Sequence, residues 1–154
     1  MLKFEHYHPM MSANYTLDWL TQTPLKTIHT AIASQHTMTD FAQIISQAMQ
    51  LIMHNQALIW GIVHRANHQF CGIASLTVEQ TVNQATLKFI YQPTKLTTAA
   101  RAEIIDYLAA FTFAQLELDH FIINLDSMDA ELRQQLLDQG YQAQSQPTKL
   151  IKNK

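Results

Sequence analysis

Three consecutive apolar runs crowd the middle of the chain: "ALIWGIVHR", "QFCGIASLTVE" and "QATLKFIYQP", between Ala57 and Pro93. They are rich in β-branched and aromatic residues, which suit a pleated, half-buried surface better than a helix. The links between them, around "RANHQ" and "QTVNQ", are short and polar. Links of that length make hairpins, whereas a parallel crossover needs a dozen residues or more. The centre of the fold is therefore expected to be three antiparallel strands in succession, and everything else must pack around them.

The flanks read differently. "YTLDWL" alternates Tyr15, Leu17 and Trp19 and predicts a first strand. "PLKTIHTAIAS" opens on Pro24, a good first-turn residue, and repeats Leu25, Ile28 and Ile32 on one helical face. A second helix is expected from a cap at Thr39 or Asp40, with Phe41, Ile44, Ile45, Ala48, Leu51 and Ile52 on its buried side. After the strands, a long helix from about Thr98 to Glu117 carries Ile104, Ile105, Leu108, Phe111 and Leu116 as an apolar stripe. The strand "FIINL" follows directly. "DSMDAELRQQLLDQG" then gives a helix with an acidic first turn, which the dipole favours, and a stop at Gly140. The last segment has room for one more strand or hairpin. The predicted order is β-α-α-β-β-β-α-β-α-β, an N-terminal arm over residues 1–14 and a single domain over residues 15–154.

Composition excludes several classes of function. The formal charge is −2, from 10 basic against 12 acidic side chains, and the basic residues form no extended patch, so binding driven by nucleic-acid phosphates is disfavoured. No apolar run approaches the length of a signal peptide or a membrane span, and a soluble cytoplasmic protein is the expectation. The single cysteine, Cys71, lies in an apolar strand with no adjacent base and reads as a buried thiol. Eight histidines complete no metal-ligand spacing with cysteine or carboxylate, so no metal site is expected.

One short loop invites a chemical reading. In "YQPTKLTTAARAEIIDYLAAF" a strand meets a proline, crosses a polar segment and enters the long helix. Unpaired N–H groups and the positive helix end make that junction a place for phosphate. Such loops usually carry glycine, and this one has none. The plainer alternative is that Thr97 or Thr98 caps the helix while Lys95 and Arg101 are solvated.

The element order, "ALIWGIVHRANHQFCGIASL", "FTFAQLELDHFIINL" and "LLDQGY" together resemble the GNAT acyltransferase superfamily, in particular its branch of ribosomal-protein N-terminal acetyltransferases. The resemblance spans Tyr15 to the C-terminus. It implies an α/β (α+β) GNAT-like fold, with a mixed, mostly antiparallel sheet flanked by helices and with the fourth and fifth strands splayed around the pantetheine arm of acyl-CoA. It also places the family's pyrophosphate loop on Thr94 to Ala99. Ala99 fits the last motif position, but Thr94 stands where arginine or glutamine is usual and Thr97 replaces the central glycine. A β-branched residue adds bulk and resists a positive φ. Cofactor contacts are accordingly expected from Lys95, Leu96, Thr97, Thr98, Ala99 and Arg101.

The implied reaction moves an acetyl group from acetyl-CoA, as co-substrate, to an amine of a peptide, protein or small metabolite. A backbone N–H of the Phe89, Ile90, Tyr91 region would polarise the thioester carbonyl. Side chains for proton transfer are sparse: the family's strand glutamate falls on Thr86, its Asn-x-x-Ser on Asp129 and Leu132, and its helical tyrosine on Leu136. Asp129 and Glu79 are the remaining catalytic candidates, against the plainer readings of a helix cap and a solvated strand end. An acyl-CoA-dependent N-acyltransferase is one functional reading. A non-catalytic relative that uses the cleft to bind a ligand or partner is the other, and a free sheet edge offers a route to a homodimer.

Overall fold

The computed structural model describes residues 3–125, 129–146 and 148–154. Its strands are β1 (Met10–Met11), β2 (Tyr15–Trp19), β3 (Ala57–His64), β4 (Phe70–Glu79), β5 (Gln84–Tyr91), β6 (His120–Asn124), β7 (Gln142–Ala143) and β8 (Lys149–Asn153). They form one eight-stranded sheet in the order β1-β2-β3-β4-β5-β6-β8-β7. Four α-helices accompany it: α1 (Leu25–Ala31), α2 (Met38–Met53), α3 (Thr98–Ala114) and α4 (Ala130–Asp138). The short β1 shifts the numbering, so the fourth and fifth strands of the sequence reading are β5 and β6.

The central strands pair as their short links require. β3 and β4 are antiparallel with Trp60 opposite Ala74, and β4 and β5 with Ala74 opposite Phe89. β5 and β6 alone pair in parallel, because α3 carries the chain back to the starting edge between them. The final segment resolves into a hairpin in which β8 lies between β6 and β7.

Each strand sends alternate side chains to opposite faces, and each face has its own core. Leu58, Trp60, Ala74, Leu76, Leu87 and Phe89 join Ile104, Leu108 and Phe111 of α3 on one side. Ile28, Phe41, Ile45, Phe70 and Ile73 pack under α1 and α2 on the other. The expected single apolar face of α2 is divided. Phe41, Ile45, Ala48 and Ile52 are buried, but Ile44 and Leu51 remain 39% and 40% exposed. The cap of α2 is Thr37, whose hydroxyl accepts from the Asp40 N–H, rather than Thr39 or Asp40. The start of the last predicted helix, at 126–128, lies outside the described residues.

The arm is part of the packed core. Phe4 and Tyr7 are buried, Tyr7 meets Phe111 edge to face at 5.0 Å, and the Trp60 indole donates to the Tyr7 carbonyl at 2.9 Å. Further along, Glu103 of α3 accepts from the Asn14 N–H at 2.9 Å, from the Asn14 side-chain amide and from the Ser12 hydroxyl. Burial alone would raise the Glu103 carboxyl, but those bonds outweigh it and hold the group below its ordinary value of 4.5. A carboxyl lowered in the folded state stabilises the fold above its unfolded value, and the contribution fades as pH falls through the folded value. Glu103→Gln should therefore lower the melting temperature most at neutral pH, with the gap closing below pH 4.5. A gap that is constant from pH 7 to pH 3 would show that the charge is irrelevant to the clasp.

Candidate functional site

β6 pairs with the N-terminal half of β5 and then ends, so β5 outruns it. Their last matched pair is Leu87 with Ile123, while β5 runs on from Lys88 to Tyr91 with no β6 residue beside it. Alternate residues of that stretch turn their N–H and C=O groups toward the vacated side. The chain after β5 enters α3 and the chain after β6 enters α4, so both helix N-termini stand at the mouth of the gap.

The loop into α3 is held from two sides. The Lys95 and Leu96 N–H groups both donate to the Gln92 carbonyl, at 2.9 and 3.1 Å, and the Gln92 amide donates to the Thr30 and Ala31 carbonyls at the end of α1. Leu96 is fully buried, so any contact it offers a ligand comes from its backbone. Lys95 is exposed and lines a cavity of about 460 Å³ together with Thr94, His68 and Cys71.

Thr97 is the N-cap of α3. Its φ is −72°, and its hydroxyl accepts from the Ala100 N–H at 3.2 Å. The position therefore needs no left-handed conformation, and the loss of glycine there costs bulk but no backbone strain. Ala100 and Arg101 donate to Thr97. Among the described residues the Thr98 and Ala99 N–H groups have no acceptor, and they stand at the helix end where an anion would be received.

Arg101 is not a solvated cation. It is 5% exposed, forms a buried ion pair with the Asp129 carboxylate, and lies 4.6 Å above the Tyr91 ring. Tyr91 in turn reaches the same carboxylate through its hydroxyl at 3.4 Å. Asp129 occupies the N-cap position of α4, yet its side chain makes no capping hydrogen bond. The pair instead ties the start of α3 to the start of α4 across the mouth of the gap.

Glu79 is not brought to this place. It ends β4 opposite Gln84, whose amide donates to it at 3.3 Å, while the gap opens beside Tyr91, which pairs with Gly72. Four residues of strand separate Glu79 from Ser75, the partner of Lys88 where the gap begins, and seven separate it from Gly72, roughly 13 and 23 Å at the usual rise. Phe89 points into the α3 core, Ile90 to the other face, and Thr86 lies opposite Thr77 on the face away from α3. Gly72 allows the close approach at the gap, since a Cβ there would stand 3.1 Å from the Ile90 carbonyl oxygen.

Solved structures share the fold over nearly the whole chain. A ribosomal-protein-serine acetyltransferase structure from Vibrio cholerae superposes with a TM-score of 0.78 at 16% identity, covering 95% of this chain and 97% of that one. The fold is that of the GNAT acetyltransferases. The ribosomal-protein-S5-alanine acetyltransferase of Vibrio fischeri gives 0.74 at 11% identity over 94% and 96% of the two chains. The microcin C7 self-immunity acetyltransferase MccE, solved with acetyl-CoA and AMP, gives 0.65 at 15% identity over 92% and 93%. No family model and no curated protein matches the sequence. Within this GNAT fold the described helices include none long and apolar enough to cross a membrane.

Tyr91, Arg101 and Asp129 each stand out in the sequence, but as separate candidates with separate roles. The signal that joins them is helical spacing. Arg101 falls three, four and seven residues before Ile104, Ile105 and Leu108, on the buried stripe itself, where a charge calls for an internal partner.

Proposed function

We propose that the protein is an acyl-CoA-dependent N-acyltransferase that moves an acetyl group from acetyl-CoA directly to a primary amine. The observation that carries the reading is the parted edge of β5 at Lys88–Tyr91 beside the open N-terminus of α3. The Thr98 and Ala99 N–H groups and the exposed Lys95 ammonium fit the pyrophosphate, and Thr97 admits it without backbone strain. The backbone of Phe89, Ile90 and Tyr91 supplies the N–H that stabilises the oxyanion as the amine adds to the thioester carbonyl. The carbon–sulfur bond then breaks, and the proton released by the amine ends on the departing thiolate.

Direct transfer also fits the state of the single thiol. Burial pushes Cys71 above its ordinary value, and its sulfur donates to the Gln69 carbonyl at 3.3 Å, so it is a poor candidate for an acyl-enzyme nucleophile. Asp129 and Glu79 do not act as a pair in this mechanism. The Asp129 carboxylate is engaged by Arg101 and Tyr91, and Glu79 stands at the far end of the hairpin.

A second reading has its own observation. The Arg101–Asp129 bridge across the mouth of the gap, with Thr94 and Thr97 in the loop, suits a GNAT-like protein that binds a ligand or partner without catalysis. Calorimetric titration with acetyl-CoA and with CoA separates the two. Saturable one-to-one binding, weakened about tenfold by Lys95→Ala and preserved or tightened in Thr97→Gly, is the expected result. A charge-assisted phosphate contact carries roughly that much, and glycine at an N-cap costs only a few tenths of a kcal/mol. Absence of binding at millimolar acetyl-CoA would retire the transferase reading.

A further inference from the structure

On the sheet face opposite α3, a cavity of about 390 Å³ opens between α2, the α1–α2 connection and strands β3 to β5. Its walls include Ile32, Phe41, Ile45, Ile59 and Ile73. The polar side chains at its rim are Ser34, Gln35, His36 and Ser75, and no aspartate or glutamate lines it. His36 is the one titratable group among the lining residues. Ile90 also lines it, is 44% exposed, and belongs to the part of β5 that β6 has left. Cavity and gap thus share a strand, one on its side-chain face and the other on its backbone edge.

We propose that this cavity receives the acceptor of the transfer and selects an amine carried on an uncharged apolar group, alkyl or aromatic, over a polycation. The proposal rests on the transferase reading for the word acceptor, and on the lining alone for the selectivity. The volume is that of a small-ligand site. An alkyl or aromatic group seated among Phe41, Ile45 and Ile73 leaves water for an apolar wall, which is favourable. A second ammonium would have to shed its water with no carboxylate to receive it, which is costly. His36, when protonated, adds repulsion of the same sign. With the apolar group seated, the amine is left on the Ile90 side, beside the strand whose edge serves the thioester.

The test uses the full chain without acyl-CoA, titrated calorimetrically with n-butylamine, n-hexylamine, n-octylamine and spermidine. One-to-one affinity should tighten about fourfold per methylene, the equivalent of about 0.8 kcal/mol for each CH₂ buried, and spermidine should not bind. Ala48→Phe fills the cavity and should weaken octylamine at least tenfold. Ile44→Ser, at the exposed lip, should weaken it several-fold and keeps the test decisive where the filled variant does not fold. Affinity that ignores chain length, spermidine bound as tightly as octylamine, or octylamine indifferent to both variants would overturn the proposal. Length-dependent amine binding without any acetyl-CoA binding would sustain the selectivity and overturn the transferase reading. Acetyl-CoA binding with a flat amine series would do the reverse.

Discussion

Arg101→Met is expected to destabilise the protein by about 3–5 kcal/mol, the range measured when one member of a buried ion pair is removed. Methionine keeps much of the side-chain volume and can still lie against the Tyr91 ring, so the loss isolates the charge. What disappears is the guanidinium facing the Asp129 carboxylate in an interior where both side chains are at most 7% exposed. Urea unfolding reads the change as a lower midpoint. The double variant Arg101→Met, Asp129→Leu removes both charges, and replacing a buried pair by apolar residues is often neutral or stabilising. It should recover most of the loss. A single variant within 1 kcal/mol of the parent would mean that water reaches the pair and the bridge between α3 and α4 carries little.

The bridge also has a functional consequence. If it only fastens the two helices, the double variant retains acetyl-CoA affinity. If it holds the mouth of the gap at the width a ligand needs, affinity falls in the double variant even though stability returns. The two measurements on one protein therefore separate a fastening from a positioning role for Arg101.

The strands of this fold were legible because their signals are local. Short polar links between β-rich runs leave little choice but a meander, and β3, β4 and β5 pair as "RANHQ" and "QTVNQ" require. The divided face of α2 was not legible. Ile44 and Leu51 have the spacing of core residues, and their exposure depends on how far the sheet extends beneath the helix, which periodicity does not encode. α3 ends at Ala114, short of Glu117, which adopts a left-handed φ of 55° where glycine would have marked the stop. At the site, the loop's place at the strand–helix junction could be read from Pro93 and the helix that follows. Its backbone could not. Thr97 looked like an obstacle by type, and only its φ shows that the position never needed glycine. Arg101 was visible on the apolar stripe of α3, but its partner lies 28 residues away, beyond any local pattern.

Leu96→Ala should be the most informative lesion in the loop itself. Leu96 is fully buried in the α3-side core, and truncating a buried leucine costs about 2–5 kcal/mol. Its distinctive effect is on placement. The loop is held on one side by the Gln92 carbonyl and amide and anchored in the core by Leu96, with Lys95 between them and the Thr98 and Ala99 N–H groups just beyond. Freed of Leu96, those groups must be ordered when the ligand binds, and that ordering cost appears as lost affinity. Leu58→Ala, in β3 and equally buried, is the control for stability alone. Acetyl-CoA should bind at least tenfold more weakly to Leu96→Ala than to Leu58→Ala at a temperature where both are folded. Equal affinities would show that the loop is positioned without Leu96. They would leave its backbone contacts to Gln92 as the support for the open end of α3.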